Sequence, residues 1–384
     1  MSALLGVGCP ECGKVYPGDR LQTICLACGS PLLARYDTES LRKRLDRDRL
    51  PAVSPGIWRW EELLPVQNPG ARISLGEGGT PLLHISRLGA DLGLRALFIK
   101  DEGVNPTGPF KARGMAVAVS RAAELGVREL VVASAGNAGG AAAAYAARGG
   151  LKVHVFMPRD APAVHAAEIN STGGTLHTVD GLLDDAGREA AREREAYGWF
   201  DLSTFKEPYR VEGKKTMGFE LAEAFGWDLP DVIIYPTGGG TGLVGMWKAF
   251  GELEALGWIE KKRPRMVAVQ PKGCAPLVRA WRKGSDQVER WEGAETAAQG
   301  LRVPKPFAGR LMLRALKESQ GRAVTVSEEG MVRAKADLAQ QEGVLVCLEG
   351  AATLAAARDL RSEGWLRPEE RVVLFNTGMG LKGL

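Results

Sequence analysis

The stretch of sequence that decides the fold is Asn105-Pro106-Thr107-Gly108-Pro109-Phe110-Lys111-Ala112-Arg113-Gly114. An apolar run at 97–100 precedes it and predicts a strand, and the Ala- and Val-rich run from Met115 to Leu125 predicts a helix. Lys111 therefore lies at a strand-to-helix junction, with a proline suited to the first turn and Thr107 or Gly108 available as the cap. The helix dipole and burial both favour a neutral amine, which reaction with a carbonyl requires. A single lysine in a turn is more often solvated, so other parts of the chain must support this interpretation.

The composition is typical of a soluble globular protein and argues against several other classes. A length of 384 residues predicts two domains and an appendage. The net charge of +4 and the absence of a long basic block argue against nucleic-acid binding. No apolar run approaches the roughly 18 residues of a membrane span, and no signal peptide is evident. We therefore expect a cytoplasmic protein with no nucleic-acid or membrane partner.

Four cysteines form two Cys-x-x-Cys-Gly knuckles, Cys9, Cys12, Cys25 and Cys28, with twelve residues between the knuckles. Four thiolates are a structural zinc set with no position left for a catalytic water. Reduced or redox-active thiols are the alternative. Cys274 and Cys347 stand in apolar surroundings and are expected to be small buried side chains.

Short β-branched runs alternate with Ala-rich helical runs from about residue 73 onward. This alternation predicts parallel sheets covered on both faces, with sites beyond the carboxyl ends of the strands. The predicted strands lie at 97–100, 128–133, 152–157, 175–179, 232–235, 266–270, 323–326 and 372–375.

Three glycine-rich turns follow predicted strands. The turn Gly238-Gly239-Gly240-Thr241-Gly242 can point several backbone N–H groups at one anion, and the following helix adds its dipole. It matches neither a Walker loop nor a dinucleotide fingerprint, so a monophosphate is the better fit. The other two turns each offer one polar side chain among small residues, Asn137 in 134–140 and Thr377 in 376–380.

Taken together, these motifs resemble the fold-type-II pyridoxal-phosphate enzymes, and within them the threonine synthase family. Glu77-Gly-Gly-Thr80-Pro-Leu82 and the segment 207–216 also match that family, and the resemblance covers about residues 73–384. It implies two doubly wound, mostly parallel α/β domains, and a zinc-ribbon-like extension occurs in some members. The expected organisation is a zinc ribbon at 1–35, a linker at 36–72 with one helix at 38–49, a large domain at 73–112 and 200–384, and a small domain at 113–199.

The resemblance implies a role for each site residue. Lys111 would hold pyridoxal 5'-phosphate covalently and act as acid and base, and the turn from Gly238 to Gly242 would bind the cofactor phosphate. Asn137 would bond the cofactor's phenolic oxygen and Thr377 its pyridine nitrogen. The substrate would be O-phospho-L-homoserine, converted with water to L-threonine and phosphate. Its phosphate would be bound by Arg210, with Lys215, Ser134 and Ser203 as lesser donors. The family also predicts a homodimer.

Pro109, Ala112, Met379 and Gly140 depart from the usual family pattern and remove polar groups near the cofactor or substrate. Two alternatives therefore stay open. One is another enzyme of the same cofactor class, such as a threonine/serine dehydratase or a cysteate-synthase-like enzyme. The other is a non-enzymatic zinc-ribbon binding protein. The four histidines lie outside the glycine-rich turns, so the chemistry is not expected to be led by histidine.

Overall fold

The computed structural model describes residues 2–50 and 56–383. Residues 51–55 of the expected linker, Met1 and Leu384 lie outside the described residues. No helix in the described ranges has the length and apolar character that a membrane crossing requires.

The strands run in chain order as follows: β1 (Leu4–Gly8), β2 (Val15–Pro17), β3 (Leu33–Tyr36), β4 (Leu82–His84), β5 (Ala96–Asp101), β6 (Glu129–Ala133), β7 (Lys152–Pro158), β8 (Thr175–Val179), β9 (Phe200–Asp201), β10 (Val232–Pro236), β11 (Arg265–Pro271), β12 (Arg322–Val326) and β13 (Arg371–Asn376).

The α-helices are α1 (Thr38–Arg44), α2 (Ser86–Leu92), α3 (Lys111–Glu124), α4 (Asn137–Gly149), α5 (Ala163–Ser171), α6 (Leu183–Tyr197), α7 (Arg210–Ala224), α8 (Thr241–Leu256), α9 (Pro276–Arg282), α10 (Gly309–Glu318), α11 (Glu328–Glu342) and α12 (Leu348–Ser362).

The strands form three sheets. The large sheet has the order β12-β11-β10-β13-β5-β4 and is parallel except for β4, which pairs antiparallel with β5. The small sheet has the order β8-β7-β6-β9 and is parallel throughout. The third sheet, β2-β1-β3, is antiparallel and carries the N-terminal cysteines. This is the predicted α/β architecture, a ribbon followed by two mostly parallel sheets.

The central strands of the large sheet are mostly apolar because helices cover both faces of the sheet. All five residues of β10 are buried, and so are five of the six in β13. Strands β10, β13 and β5 are neighbours at the centre of the large sheet. Their carboxyl ends therefore bring the loops that follow them to one place.

The segment between the ribbon and the large sheet connects two hydrophobic cores. Its predicted helix at 38–49 is shorter than expected, ending as α1 at Arg44 with a separate 3-10 turn at Arg47–Arg49. Trp60 is buried in the core of the large sheet, against Phe219 and Trp227. Trp58 is buried in the core of the small sheet. In addition, β9, which directly follows the expected domain boundary at 199, pairs with β6 of the small sheet.

The predicted cap of the helix that carries Lys111 is wrong. Helix α3 begins at Lys111 itself, Phe110 occupies the cap position, and no side chain caps the helix. The preceding residues are instead bound to the last loop of the chain. The Phe110 amide donates to the Thr377 carbonyl at 3.1 Å, and Pro109 bridges Gly378.

A buried ion network fixes the start of α3 to its neighbours. The Arg113 guanidinium, fully buried, donates to Glu102 at 2.6 Å and to Glu220 at 2.6 Å. Lys100 of β5 binds the same Glu220 at 2.8 Å. These cations hold the pKa of both carboxyl groups below their usual range against the opposing effect of burial. The network therefore joins β5, α3 and α7 two residues away from Lys111.

Arg113→Met should destabilise the protein by about 3–5 kcal/mol, since it leaves Glu102 and Glu220 buried without their shared cation. The midpoint of urea unfolding measures the effect. Arg159→Met is the matched control, because the Arg159–Asp180 pair is exposed and should contribute little to stability. Equal midpoints for the two variants would show that the network does not stabilise the fold.

Candidate active site

A cavity of about 1700 Å3 lies where the carboxyl ends of the two parallel sheets meet. Loops after β5, β10 and β13 enter it from the large sheet, and loops after β6 and β9 enter it from the small sheet. Its wall contains most of the predicted site residues: Lys111, Ser134, Asn137, Ser203, Gly238, Gly239, Gly240, Thr241, Gly242 and Thr377. Five segments far apart in the sequence therefore converge on one space.

Lys111 faces this cavity from the first position of α3. Burial lowers the pKa of its amine to about 8, and the nearby Arg210 cation acts in the same direction. Glu349 and Cys347 oppose this shift. The lowered pKa agrees with the neutral amine that the sequence predicts at this position. At neutral pH a useful fraction of the amine is neutral and can react with a carbonyl.

A second buried lysine lies beside the first. Lys214 of α7 donates a hydrogen bond to the Phe110 carbonyl, and its pKa is lowered well below its usual value by burial and by Lys111. The Phe110 ring lies 4.0 Å from the Lys111 amine and 4.3 Å from the Lys214 amine. Lys214 does not line the cavity, so it supports the loop from behind.

The turn 238–242 has the geometry of an anion site. Within residues 2–50 and 56–383, the amides of Gly238, Gly239 and Gly240 have no hydrogen-bond acceptor. Gly240 has a φ of 83°, and a Cβ there would lie 2.1 Å from the Met312 sulfur, so only glycine fits. The N-terminus of α8 follows at once and adds its dipole.

Two polar residues of the loop after β6 have different environments. The Oδ1 atom of Asn137 is buried and has no hydrogen-bond partner in the described structure. Ser134 is already engaged, since its hydroxyl accepts from the amides of Gly136 and Gly139. Asn137 therefore has the free capacity to bind a ligand, whereas Ser134 shapes the loop.

Thr377 has a neighbour that sequence reasoning missed. The Cys347 sulfur lies 3.9 Å from the Thr377 hydroxyl and accepts from the Gly350 amide at the start of α12. Cys347 lines the cavity, so the expectation of a purely apolar environment is wrong. Burial raises the pKa of this thiol, so it is neutral. Its position just before an Ala-rich helix was the available signal of a capping role.

Arg210 is buried at the start of α7, next to the cavity but not on its wall. Its Nη1 donates to the Leu202 carbonyl at 2.5 Å, while Nε and Nη2 have no partner in the described part of the chain. The neighbouring Glu207 accepts from the Arg210 backbone amide, and its Oε1 atom has no hydrogen-bond partner in the described residues.

Lys215 does not reach the cavity, and its predicted role as a substrate ligand is wrong. Its amine is fully buried against Glu212 at 2.6 Å and Glu252 at 2.8 Å, and over the Tyr36 ring at 3.9 Å. These contacts lie on the face of α7 that meets α8 and the N-terminal segment. Ser203 does line the cavity, but its hydroxyl accepts from the Ala133 amide.

Two of the four departures from the family pattern have local explanations. A Cβ on Gly140 would lie 2.2 Å from Glu168, which is bound to Lys382 at 2.7 Å. Pro109 forms an isolated β-bridge with Gly378 in the loop after β13. A proline is tolerated at this position because the contact does not need a hydrogen bond donated by its backbone nitrogen.

The cysteines of the N-terminal ribbon come together in space. The four sulfurs of Cys9, Cys12, Cys25 and Cys28 lie within 4.8 Å of one another. The two knuckles have the same backbone hydrogen bonds: Cys9 to Lys14 and Gly13 to Cys9 in the first, Cys25 to Ser30 and Gly29 to Cys25 in the second. Cys28 and the residues after it also line the mouth of the cavity.

Comparisons with known proteins agree with this geometry. The family model for pyridoxal-phosphate dependent enzymes matches residues 73–378. The threonine synthase of Methanocaldococcus jannaschii is 37% identical over 97% of this chain and 92% of its own. That of Mycobacterium tuberculosis is 35% identical over 85% of this chain and 89% of its own. Because the first match covers 97% of this chain, it includes most of the N-terminal ribbon.

Solved structures share the fold. Maize serine racemase superposes with a TM-score of 0.71 at 24% identity, covering 85% of this chain and 94% of that one. The processed form of threonine deaminase isoform 2 from Solanum lycopersicum gives a TM-score of 0.66 at 22% identity, covering 78% of this chain and 79% of that one. The chain therefore belongs to the pyridoxal-phosphate dependent enzyme family, and within it to the threonine synthases.

Proposed function

We propose that the protein is a threonine synthase, which converts O-phospho-L-homoserine and water to L-threonine and phosphate. The observation that carries this proposal is the convergence of Lys111, the turn 238–242, Asn137 and Thr377 on one cavity, in a chain that is 37% identical to a threonine synthase over nearly its whole length.

The residues of the cavity fit pyridoxal 5'-phosphate. The free amides of Gly238–Gly240 would hold its phosphate, and Asn137, whose Oδ1 has no partner among the described residues, would donate from Nδ2 to the phenolic oxygen. The Thr377 hydroxyl would bond the pyridine nitrogen. Because this group is a neutral hydroxyl, it would not hold a proton on that nitrogen as a carboxylate would.

The cofactor, when bound, withdraws electrons from the substrate's Cα and so makes elimination of the phosphate possible. Lys111 would hold the cofactor covalently. Its amine, when free, would take protons from Cα and Cβ of the substrate and return protons at Cγ and Cα, while water adds at Cβ. A pKa of about 8 suits both directions near neutral pH.

The phosphate of the substrate needs several donors. Arg210 is the strongest of the predicted ones, because two of its nitrogens are buried without partners beside Lys111. Ser203 and Ser134 offer hydroxyls on the wall, although both already accept bonds from backbone amides.

The expected homodimer and cytoplasmic location stay predictions. Both rest on the family resemblance and the composition.

Purified protein loaded with the cofactor should release phosphate from O-phospho-L-homoserine and form L-threonine, with little ammonia released from L-threonine. Product analysis of both reactions is the measurement. Ammonia from L-threonine without phosphate release would favour a dehydratase. No turnover of either substrate by cofactor-loaded protein would favour the binding protein.

Lys111→Ala should abolish turnover and the visible absorbance of covalently bound cofactor, since it removes the amine that would hold the cofactor. Lys214→Gln is the matched control, because Lys214 is equally buried beside Phe110 but does not face the cavity. It should keep the absorbance. The opposite pattern in the two variants would mean that the wrong lysine was assigned.

We also propose that the four ribbon cysteines bind structural zinc. A tetrahedral zinc site with Zn–S distances of about 2.3 Å places its sulfurs about 3.8 Å apart. The Cys9–Cys28 and Cys12–Cys25 sulfur distances of 3.4 and 3.5 Å are close to this value. The matching knuckles and the absence of a position for water support a structural role.

Cys25→Ser should reduce the zinc content, measured by metal analysis, from about one ion per chain, and lower the melting temperature. Cofactor absorbance should persist. Cys274→Ser is the control, since Cys274 is a buried thiol outside the cluster and should leave the zinc content unchanged. Zinc-free wild-type protein would refute the zinc assignment.

A further inference from the structure

One cation on the cavity wall has no role in the site described above. Lys206 lies in the loop between β9 and α7 and is partly buried. Its amine lies 4.0 Å from the centroid of the Phe307 ring, on the loop before α10. Among the described residues, no carboxylate forms an ion pair with this amine; Asp201, which acts on it only at longer range, accepts the Ser203 amide.

Other cations at the cavity are already neutralised. Lys382 binds Glu168 at 2.7 Å, Arg194 lies 3.5 Å from Glu195, and Arg310 lies 3.7 Å from Glu11. Lys305 is exposed to solvent at the mouth. Lys206 differs from these because its amine is partly buried and has no ion-pair partner among the described residues. An anion entering the cavity would replace the interactions with water that this amine has lost.

The loop that carries Lys206 lies directly against the anion-binding turn. A Cβ on Gly239 would lie 2.7 Å from the Thr204 methyl carbon, so the two loops are in contact. Burial lowers the pKa of Lys206, opposed by Asp201. Lys206 itself lines the cavity, whereas Arg210, buried at the start of α7, does not.

We infer that Lys206 binds the phosphate ester of the substrate in the cavity, and that Phe307 positions its amine there. This inference rests on the proposed function. A dianionic phosphate needs more than one cationic donor, and a lysine supplies a compact charge on a flexible chain. The ring of Phe307 holds that chain against the wall when no phosphate is present.

Lys206→Gln should raise the KM for O-phospho-L-homoserine about 10- to 100-fold, the expected loss of one charged hydrogen bond. Inhibition by inorganic phosphate should weaken by a similar factor. Binding of L-threonine, which has no phosphate, should be unchanged when followed by cofactor absorbance in the holoenzyme. Lys206→Arg should restore most of the affinity because it keeps the charge.

Two further variants separate this role from general effects. Phe307→Leu should raise the KM roughly 2- to 5-fold with little change in kcat, since it removes only the ring that positions the amine. Lys305→Gln removes a neighbouring exposed charge and should change the KM less than about 3-fold. An equal rise in Lys305→Gln would show a general electrostatic effect and overturn the inference.

The outcomes distinguish this inference from the function on which it rests. Wild-type turnover of phosphohomoserine with an unchanged KM in Lys206→Gln would overturn the role of Lys206 and leave the function intact. A weakened L-threonine affinity in Lys206→Gln would show a structural defect and count against a phosphate-specific role. Holoenzyme that does not turn over phosphohomoserine would overturn both.

Discussion

The interaction on which the site depends is the buried guanidinium of Arg113 between Glu102 and Glu220. The cost of removing these charges from water is offset only because each carboxylate has several donors at short distance. Asn105 and Thr80 complete the shell around Glu102. The ends of β5, α3 and α7 are thereby fixed relative to one another. Lys111 lies two residues before Arg113 on α3, so the same network fixes its position.

A second set of contacts joins the lysine loop to the loop after β13. The Phe110 amide binds the Thr377 carbonyl, and the Met379 amide binds the Gly108 carbonyl. Backbone groups make these bonds, so they tolerate side-chain changes such as Pro109 and Met379. The two loops therefore form one unit, which sets the distance between the amine and the hydroxyl that would bind opposite ends of a planar ligand.

The strands and the glycine-rich turns could be predicted because β-branched runs and glycine clusters report local constraints. Helix α7 could not be assigned in this way, because all residues from Arg210 to Ala222 are buried, including Lys214 and Lys215. Charged side chains normally indicate the solvent-exposed face of a helix, but in α7 they are buried. Sequence alone therefore offered no means to separate Lys215, which binds Glu212, from a lysine facing the cavity such as Lys206. The tertiary fold determines which groups surround each of these two lysines.

The ribbon is more than an attachment to the catalytic body. Residues 28–31 lie at once in the second cysteine knuckle and in the mouth of the cavity. Its buried side chains, among them Cys25 and Leu32, belong to the same hydrophobic core as Phe110, next to Lys111. Substitutions in this knuckle can therefore act on the lining of the cavity and on the packing of the large sheet together. The shape of the cavity and the stability of the catalytic centre are thus coupled through the ribbon.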